Sequence, residues 1–294
     1  MISTTRVSTI ADLLNQGRLA LADNIVEPLL EAQILLAASL DQPRSYLLAH
    51  PQASVKATLE ANYRKQLAAR SQGQPMAYIL GHREFWSLSL TVSPATLIPR
   101  AETELLVEQA LAILPQQPTR VLDLGTGSGA VALAIKSERP NAIVTAVDID
   151  PAALSIAKAN GARLGLAVEW LESDWFTALV GRQFDVIVSN PPYVAAQDPH
   201  LHEGDVAFEP RHALEAGPAG LDALQRITSA ATGYLCPGGD LLLEHGYDQA
   251  PAVRDHLRRA GLEAVSSHRD LLGHERVTTA QVPELQSWRG HDQI

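Results

Sequence analysis

The sequence predicts an α/β protein, a largely parallel sheet with helices on both faces, with a small all-helical region in front of it. Beyond Pro99, short apolar runs alternate with helical stretches, the pattern of a parallel sheet covered on both sides. Gly125-Thr126-Gly127-Ser128-Gly129 sits where one such run gives way to a helix. The first ~75 residues carry helical rather than strand periodicity.

Each element follows in chain order. Glu27-Pro28 places proline where a first helical turn tolerates it, ahead of an Ala/Leu-rich run ending near Asp41-Gln42-Pro43. Leu59, Tyr63 and Leu67 recur every four residues, the stripe of a packed helix. From Glu84 to Val92 the apolar residues Phe85, Trp86, Leu88, Leu90 and Val92 mostly alternate with polar ones, which predicts a strand or hairpin linking two domains. A helix after Pro99 uses Leu106, Ala110 and Ile113 and stops before Pro115 and Pro118. Arg120–Leu124, Ile143–Val147, Val168–Leu171, Phe184–Val188 and Asp240–Leu243 read as strands, with Gly129–Lys136 as a helix. Asp150 caps a further helix beginning at Pro151, and 265–282 holds a final strand pair. The domain boundaries expected are 1–80, 81–98 and 99–294: helical domain, hairpin linker and sheet domain.

Composition narrows the function. No apolar run approaches the ~20 residues of a membrane span, and the N-terminus has no sustained apolar core of a signal peptide. The single cysteine, Cys236, forbids an internal disulfide and suits a reducing compartment, so a cytoplasmic location is expected. Net charge is −10, yet residues 1–80 carry seven Lys/Arg against six Asp/Glu, so the acidity belongs to the remainder. Such a surface repels a phosphate backbone, and no direct nucleic-acid or membrane partner is expected.

Val121-Leu122-Asp123-Leu124 runs into the glycine cluster and then a helix. Glycines let the backbone approach a ligand closely, and a helix N-terminus presents unpaired N–H groups. Asp148 ends the next strand, where a carboxylate can accept from both ribose hydroxyls of an adenosine-containing cofactor. Gly125, Gly127 and Ala130 also satisfy a dinucleotide fingerprint, so this loop alone leaves a nicotinamide cofactor open. Ser173-Asp174-Trp175 adds a carboxylate and a flat ring that suit an adenine.

The loop Asn190-Pro191-Pro192-Tyr193, after the strand Phe184–Val188, speaks for a transferase. An amide nitrogen is a poor nucleophile because its lone pair is delocalised. To attack a methyl carbon it must be held in line, with acceptors on its N–H bonds. Asn190 supplies a side-chain carbonyl and Pro191 a backbone carbonyl. Consecutive prolines remove competing donors, and Tyr193 is expected to pack against a planar substrate group.

Together these segments resemble the release-factor glutamine N5-methyltransferases, the PrmC/HemK group. The resemblance spans Gln74–Gly81, Leu97–Glu104, Asp123–Ala134, Asn190–Tyr193, Phe208-Glu209-Pro210 and Leu243–Gly246. It implies a Rossmann-like class I methyltransferase sheet of seven strands behind a helical substrate-binding domain. It also implies S-adenosyl-L-methionine as methyl donor, S-adenosyl-L-homocysteine as product, and no metal. Gly125, Thr126, Gly127, Ser128, Gly129, Asp148, Trp175 and Asn190 would contact the donor. Asn190, Pro191, Pro192 and Tyr193 would hold the glutamine of a Gly-Gly-Gln tripeptide in peptide chain release factors, with Asn190, Pro191 and Tyr193 catalytic. Ala101 departs from the family, which usually has proline there.

Adenine-N6 DNA methyltransferases share the Asn-Pro-Pro-Tyr loop, so an amino-group nucleic-acid methyltransferase is the alternative. A dehydrogenase leaves Asn190–Tyr193 unexplained, and a non-catalytic scaffold leaves the whole constellation unexplained. His200 and His202 lack zinc-like partners, and Glu102 and Glu104 suit the first turn of a helix. Lys56, Arg64, Lys65 and Arg70 read as a basic, solvated helix face, with docking of a protein substrate as the second reading.

Overall fold

Thr9 opens the first helix because its hydroxyl accepts from Asp12 N–H (3.2 Å) while the Asp12 carboxylate accepts from Thr9 N–H (3.1 Å), a reciprocal capping box. The computed structural model describes residues 7–23 and 25–284. These fall into two units, Met1–Gly81 with Glu203–Phe208, and His82–His202 with Glu209–Ile294.

The first unit holds α1 (Ile10–Leu21), α2 (Pro28–Leu40), α3 (Arg44–Ala49), α4 (Ala57–Ser71) and α5 (Met76–Leu80). Pro28 sits in the first turn of α2, which ends at Asp41 in a left-handed cap. Leu13, Leu21, Leu35, Leu36, Leu47 and Tyr63 are buried together. The Tyr63 hydroxyl donates to Leu13 O (3.2 Å), and burial pushes its phenol above the ordinary range. Of the basic residues on α4, Arg70 is no solvated charge. Its side chain is only 11% exposed, paired with Glu31 at 2.6 Å and Asp205 at 3.1 Å.

The second unit begins with a hairpin, β1 (His82–Phe85) and β2 (Leu88–Thr91). Its two turn residues, Trp86 and Ser87, both adopt positive φ (51° and 57°), the backbone that matches strand twist in a two-residue hairpin loop. Neither is glycine, so the turn carries strain. Glu104 offsets it by accepting from Trp86 N–H (3.0 Å), and Glu138 by accepting from the indole N–H (2.9 Å).

There follow α6 (Glu104–Ile113), β3 (Arg120–Leu124), α7 (Ala130–Glu138), β4 (Ile143–Asp148), α8 (Pro151–Leu164), β5 (Glu169–Glu172), β6 (Phe184–Ser189), α9 (Asp222–Ala231), β7 (Leu235–Glu244), α10 (Ala250–Arg259), β8 (Glu263–Arg269) and β9 (Glu275–Gln281). A short 3-10 turn, Ala101–Thr103, leads into α6.

The seven-stranded sheet has the order β5-β4-β3-β6-β7-β9-β8. β3 to β7 are parallel to their neighbours among themselves, and β9 runs antiparallel between β7 and β8. Val121, Val144, Val186 and Val188 pack with α6 and α7 residues in one core. Leu122, Leu124, Ile187, Leu241 and Leu243 pack with α9 and α10 residues in the other. Burial on both faces explains the near-continuous apolar runs of these strands.

Two expectations differ. β7 starts at Leu235, so Cys236 lies in the strand. The strand thus begins five residues before the expected Asp240, its register against β6 shifts between Phe184 and Val186, and Pro237-Gly238-Gly239 forms an irregularity inside it. On α6 the buried stripe is Leu106, Val107 and Ala110, while Ile113 in the last turn is exposed.

Chain order reverses at β3, which has β4 on one side and β6 on the other. The crevice beyond the carboxyl ends at such a switch point is where open α/β sheets bind ligands.

Candidate active site

Leu124 at the end of β3 is paired in register with Ser189 at the end of β6, and the Ser189 hydroxyl donates to Leu124 O (2.7 Å). Gly125 and Asn190 therefore leave adjacent strands at the same level. A cavity of about 410 Å³ opens there, within the roughly 300–1,000 Å³ of small-molecule sites.

Its floor is the glycine loop. Gly125 and Gly127 line the cavity, and both have positive φ (72° and 56°). Gly125 and Thr126 N–H groups both donate to Val147 O (2.9 Å each), folding the loop over the end of β4. Thr126 and Ser128 turn inward. The Thr126 hydroxyl donates to Asp123 Oδ2 (2.7 Å), which also accepts from Ala132 N–H (3.2 Å), stapling both ends of the loop. Complete burial pushes the Asp123 carboxyl up to about 7. Ser128 O accepts from Asn160, which also exchanges hydrogen bonds with the Thr91 backbone, so α8 locks the hairpin to the loop. Gly129 caps α7 with φ 85°, and a Cβ there would lie 3.0 Å from Trp170 and 3.1 Å from Leu133. Of the five loop residues expected to meet a ligand, two face the cavity and three hold the loop.

Asp148 lines the wall. Oδ2 accepts from Gly127 N–H (2.7 Å) and Oδ1 from Asp150 N–H (2.9 Å). Burial raises its carboxyl above the ordinary aspartate value against the lowering effect of these bonds. Each oxygen keeps a lone pair, as a ribose diol requires.

Trp175 faces the cavity beside Gly125 and holds φ at 52°, a left-handed strain for an aromatic residue. Asp174 is paired to Arg226 (2.5 Å) on the rim. His212 stands 3.6 Å from Asp150, and Ala213, Glu215, Ala216 and Gly217 complete the opposite wall. Nothing in the sequence marked these last residues. They reach the cavity because Val194 and Glu215 form a bridge that brings the segment back to the loop after β6.

Asn190 and Pro192 line the same cavity as Asp148 and Gly127. The Asn190 NH2 group donates to Thr103 Oγ (3.0 Å), which leaves its carbonyl oxygen as the free end of the amide. Pro191 and Tyr193 do not line the cavity. Tyr193 is packed among core residues rather than standing as a ring against the ligand, and its hydroxyl donates to Glu244 (3.2 Å). Gln249 donates to Tyr193 O (2.9 Å), so that carbonyl is already taken. Burial raises the Tyr193 phenol above its ordinary range and pushes the Glu244 carboxyl up to about 7. Beside this loop, the buried Glu209 accepts from Ile98 N–H (3.1 Å) and pairs with Arg100.

Among the described residues, no group of three or more His, Cys, Asp or Glu is placed to hold a metal ion, and no helix is long and apolar enough to cross a membrane.

Two family descriptions match the chain, "PrmC N-terminal domain" over residues 12–81 and "Methyltransferase small domain" over 101–208. The chain is 52% identical over 252 residues to "Release factor glutamine methyltransferase" of Salmonella typhimurium, covering 85% of this chain and 91% of that protein. The protein of the same name from Xylella fastidiosa is 50% identical over 255 residues, 86% and 93% of the two chains. In fold, a methyltransferase from Pyrococcus furiosus superposes with a TM-score of 0.53 at 17% identity, over 76% of this chain and all of the other. A cavity at the switch point, floored by a glycine loop and walled by an asparagine amide, thus sits in a chain half identical to named enzymes over most of its length. The chain belongs to the release factor glutamine methyltransferase family.

Proposed function

We propose that this protein transfers a methyl group from S-adenosylmethionine to the side-chain amide nitrogen of the glutamine in the Gly-Gly-Gln tripeptide of bacterial peptide chain release factors. The observation that carries the reading is that Asn190 turns an amide carbonyl, its NH2 group already taken by Thr103, into the cavity that Asp148 and Gly127 wall.

The residues present fit the methyl donor. Asp148 offers two oriented carboxylate oxygens to a ribose, glycines 125 and 127 admit close approach, and Trp175 offers a flat face. When bound, the donor supplies a methyl on a sulfonium sulfur: the carbon–sulfur bond breaks as the carbon–nitrogen bond forms, sulfur keeps the pair as a thioether, and the amide nitrogen releases a proton to water. Asn190 Oδ1 accepts from the glutamine NH2 and stabilises charge developing on nitrogen, while Pro191, which does not line the cavity, could add its carbonyl only if the loop turned on binding. Pro192 fills the cavity wall beside them and helps exclude water. Asp174 is engaged by Arg226, so recognition of an adenine amino group by Asp174 would require that pair to rearrange.

On this reading residues 1–80 form the substrate-binding domain, 81–98 the linker and 99–294 the catalytic domain. The hairpin's bonds to Asn160 support treating it with the catalytic part. Cys236 as the sole cysteine supports a cytoplasmic setting.

The test is incubation with tritiated methyl donor and purified release factors, in parallel with adenine-rich DNA, followed by peptide mapping. Label on the tripeptide glutamine supports the proposal. Label on DNA alone would establish the nucleic-acid alternative instead.

A further inference from the structure

Asn190 is useful only in one orientation. An asparagine amide has nearly the same shape with its oxygen and nitrogen exchanged, but the exchanged form turns two N–H donors toward a substrate that itself presents N–H donors. Something must therefore set the polarity of this side chain.

The partner of its NH2 group is the Thr103 hydroxyl (3.0 Å) at the start of α6. A hydroxyl carries a single hydrogen, so what lies on its other side decides what it offers to Asn190. There lies Glu244, at the end of β7, whose carboxyl accepts from the Tyr193 hydroxyl (3.2 Å) and is close enough to Thr103 for that hydroxyl to favour its ionised form. Thr103 and Glu244 are 4% and 1% exposed. Oε2 of Glu244 is buried with no hydrogen-bond partner, and Arg276 is engaged instead by Asp270 (3.2 Å). A carboxyl left half-satisfied in the interior costs folding free energy, so stability does not explain it.

We propose that Glu244 and Thr103 are positioning residues that set which end of the Asn190 amide faces the cavity. As an acceptor, Glu244 draws the single hydroxyl hydrogen of Thr103 toward itself. Thr103 then has only lone pairs for Asn190, which must present its NH2 group to Thr103 and its carbonyl to the substrate. Tyr193, donating to the same carboxyl, keeps Glu244 in the acceptor role and pins the far end of the loop. The inference deepens the proposed function and rests on it, since it assigns a cause to the orientation of the acceptor used there.

The experiment is single-turnover methyl transfer to release factor with Thr103→Val, Thr103→Ser, Glu244→Gln, Asn190→Ala and the double variant Thr103→Val/Asn190→Ala. Unfolding temperature and S-adenosylhomocysteine affinity are recorded for each. Valine removes the hydroxyl at constant shape, and glutamine can turn a donor toward Thr103 and so reverse the relay. The rate should fall at least ~10-fold in Thr103→Val and Glu244→Gln while KM for both substrates stays within ~3-fold, the signature of lost transition-state positioning. Thr103→Ser should recover the rate to within ~3-fold of the parent, and Thr103→Val should cost nothing further once Asn190 is alanine, because the two then act as one unit. A wild-type rate in Thr103→Val or Glu244→Gln, no rescue by serine, or a full further loss in the double variant would overturn the positioning role while Asn190→Ala stays inactive. If Asn190→Ala itself keeps the parent rate, or the parent does not label glutamine, the underlying reading fails and this one with it.

Discussion

The backbone N–H of Gly127 donates a 2.7 Å hydrogen bond to Oδ2 of Asp148. It fastens the glycine loop after β3 to the end of β4 and fixes the carboxylate plane. With Oδ1 held by Asp150 N–H, the carboxylate is aimed rather than merely nearby.

Asp148→Ala is therefore expected to weaken S-adenosylhomocysteine binding ~10–100-fold, the scale of hydrogen bonds to a charged group, measured by titration calorimetry. The buried carboxyl takes up a proton at higher pH than an ordinary aspartate. Protonation removes acceptor capacity, so affinity should fall on acidification starting above the usual aspartate range. Asp148→Asn should flatten that profile.

Asn190→Ala should leave cofactor affinity within about tenfold and cut turnover at least ~100-fold, the scale of losing one preorganised polar contact. Near-normal turnover in a steady-state assay with release factor would remove Asn190 from the role assigned to it.

Asp123 carries a pH signature in stability. Burial pushes its carboxyl up to about 7 from the ordinary 3.8 of an aspartate, so between those values the folded protein binds the extra proton and folding is favoured at the acidic end. That contribution is lost as pH rises through about 7, where the buried group must ionise. Asp123→Asn keeps an acceptor for Thr126 and Ala132 but cannot ionise. From pH 5 to pH 8 its unfolding temperature should therefore gain on the parent's by several degrees, at ~2–4 °C per kcal/mol. A constant difference between the two melting curves would show that Asp123 does not titrate in this window.

Gly129→Ala meets two obstacles at once. The φ of 85° disfavours a side chain, and its Cβ would fall 3.0 Å from Trp170 and 3.1 Å from Leu133. Left-handed strain and overpacking together should cost about 2–4 kcal/mol, read by chemical denaturation. A change below ~0.5 kcal/mol, the range of an ordinary surface site, would show that the loop re-forms around the methyl group.

Much of the fold was legible because local physics wrote it. β3 runs over the residues that its apolar pattern marks, Asp150 caps α8 as its side chain allows, and the glycine-rich and proline-rich loops both fall at strand ends. Asp148 was legible for the same reason: it is the first charged residue at the end of the mostly apolar run 143–147. Gly129 was expected to meet the donor, because sequence shows the absence of a side chain but not what fills the space, here Trp170 and Leu133.

The glycine loop alone did not give the cofactor class, since a glycine loop followed by an acid serves two kinds of adenosine ligand; the Asn190–Tyr193 loop and the family resemblance pointed to a methyl donor. Sheet order decided the rest. Strand pairing places Thr103 against Asn190, Tyr193 against Glu244 and Arg226 against Asp174, pairs far apart in the chain whose meeting no local propensity encodes. Short-range preferences determined which segments are strands, helices and tight turns. Only the tertiary arrangement decided which side chains turn inward to hold the loops and which remain free to meet a substrate, because hydrogen bonding of a buried group depends on neighbours brought in from elsewhere.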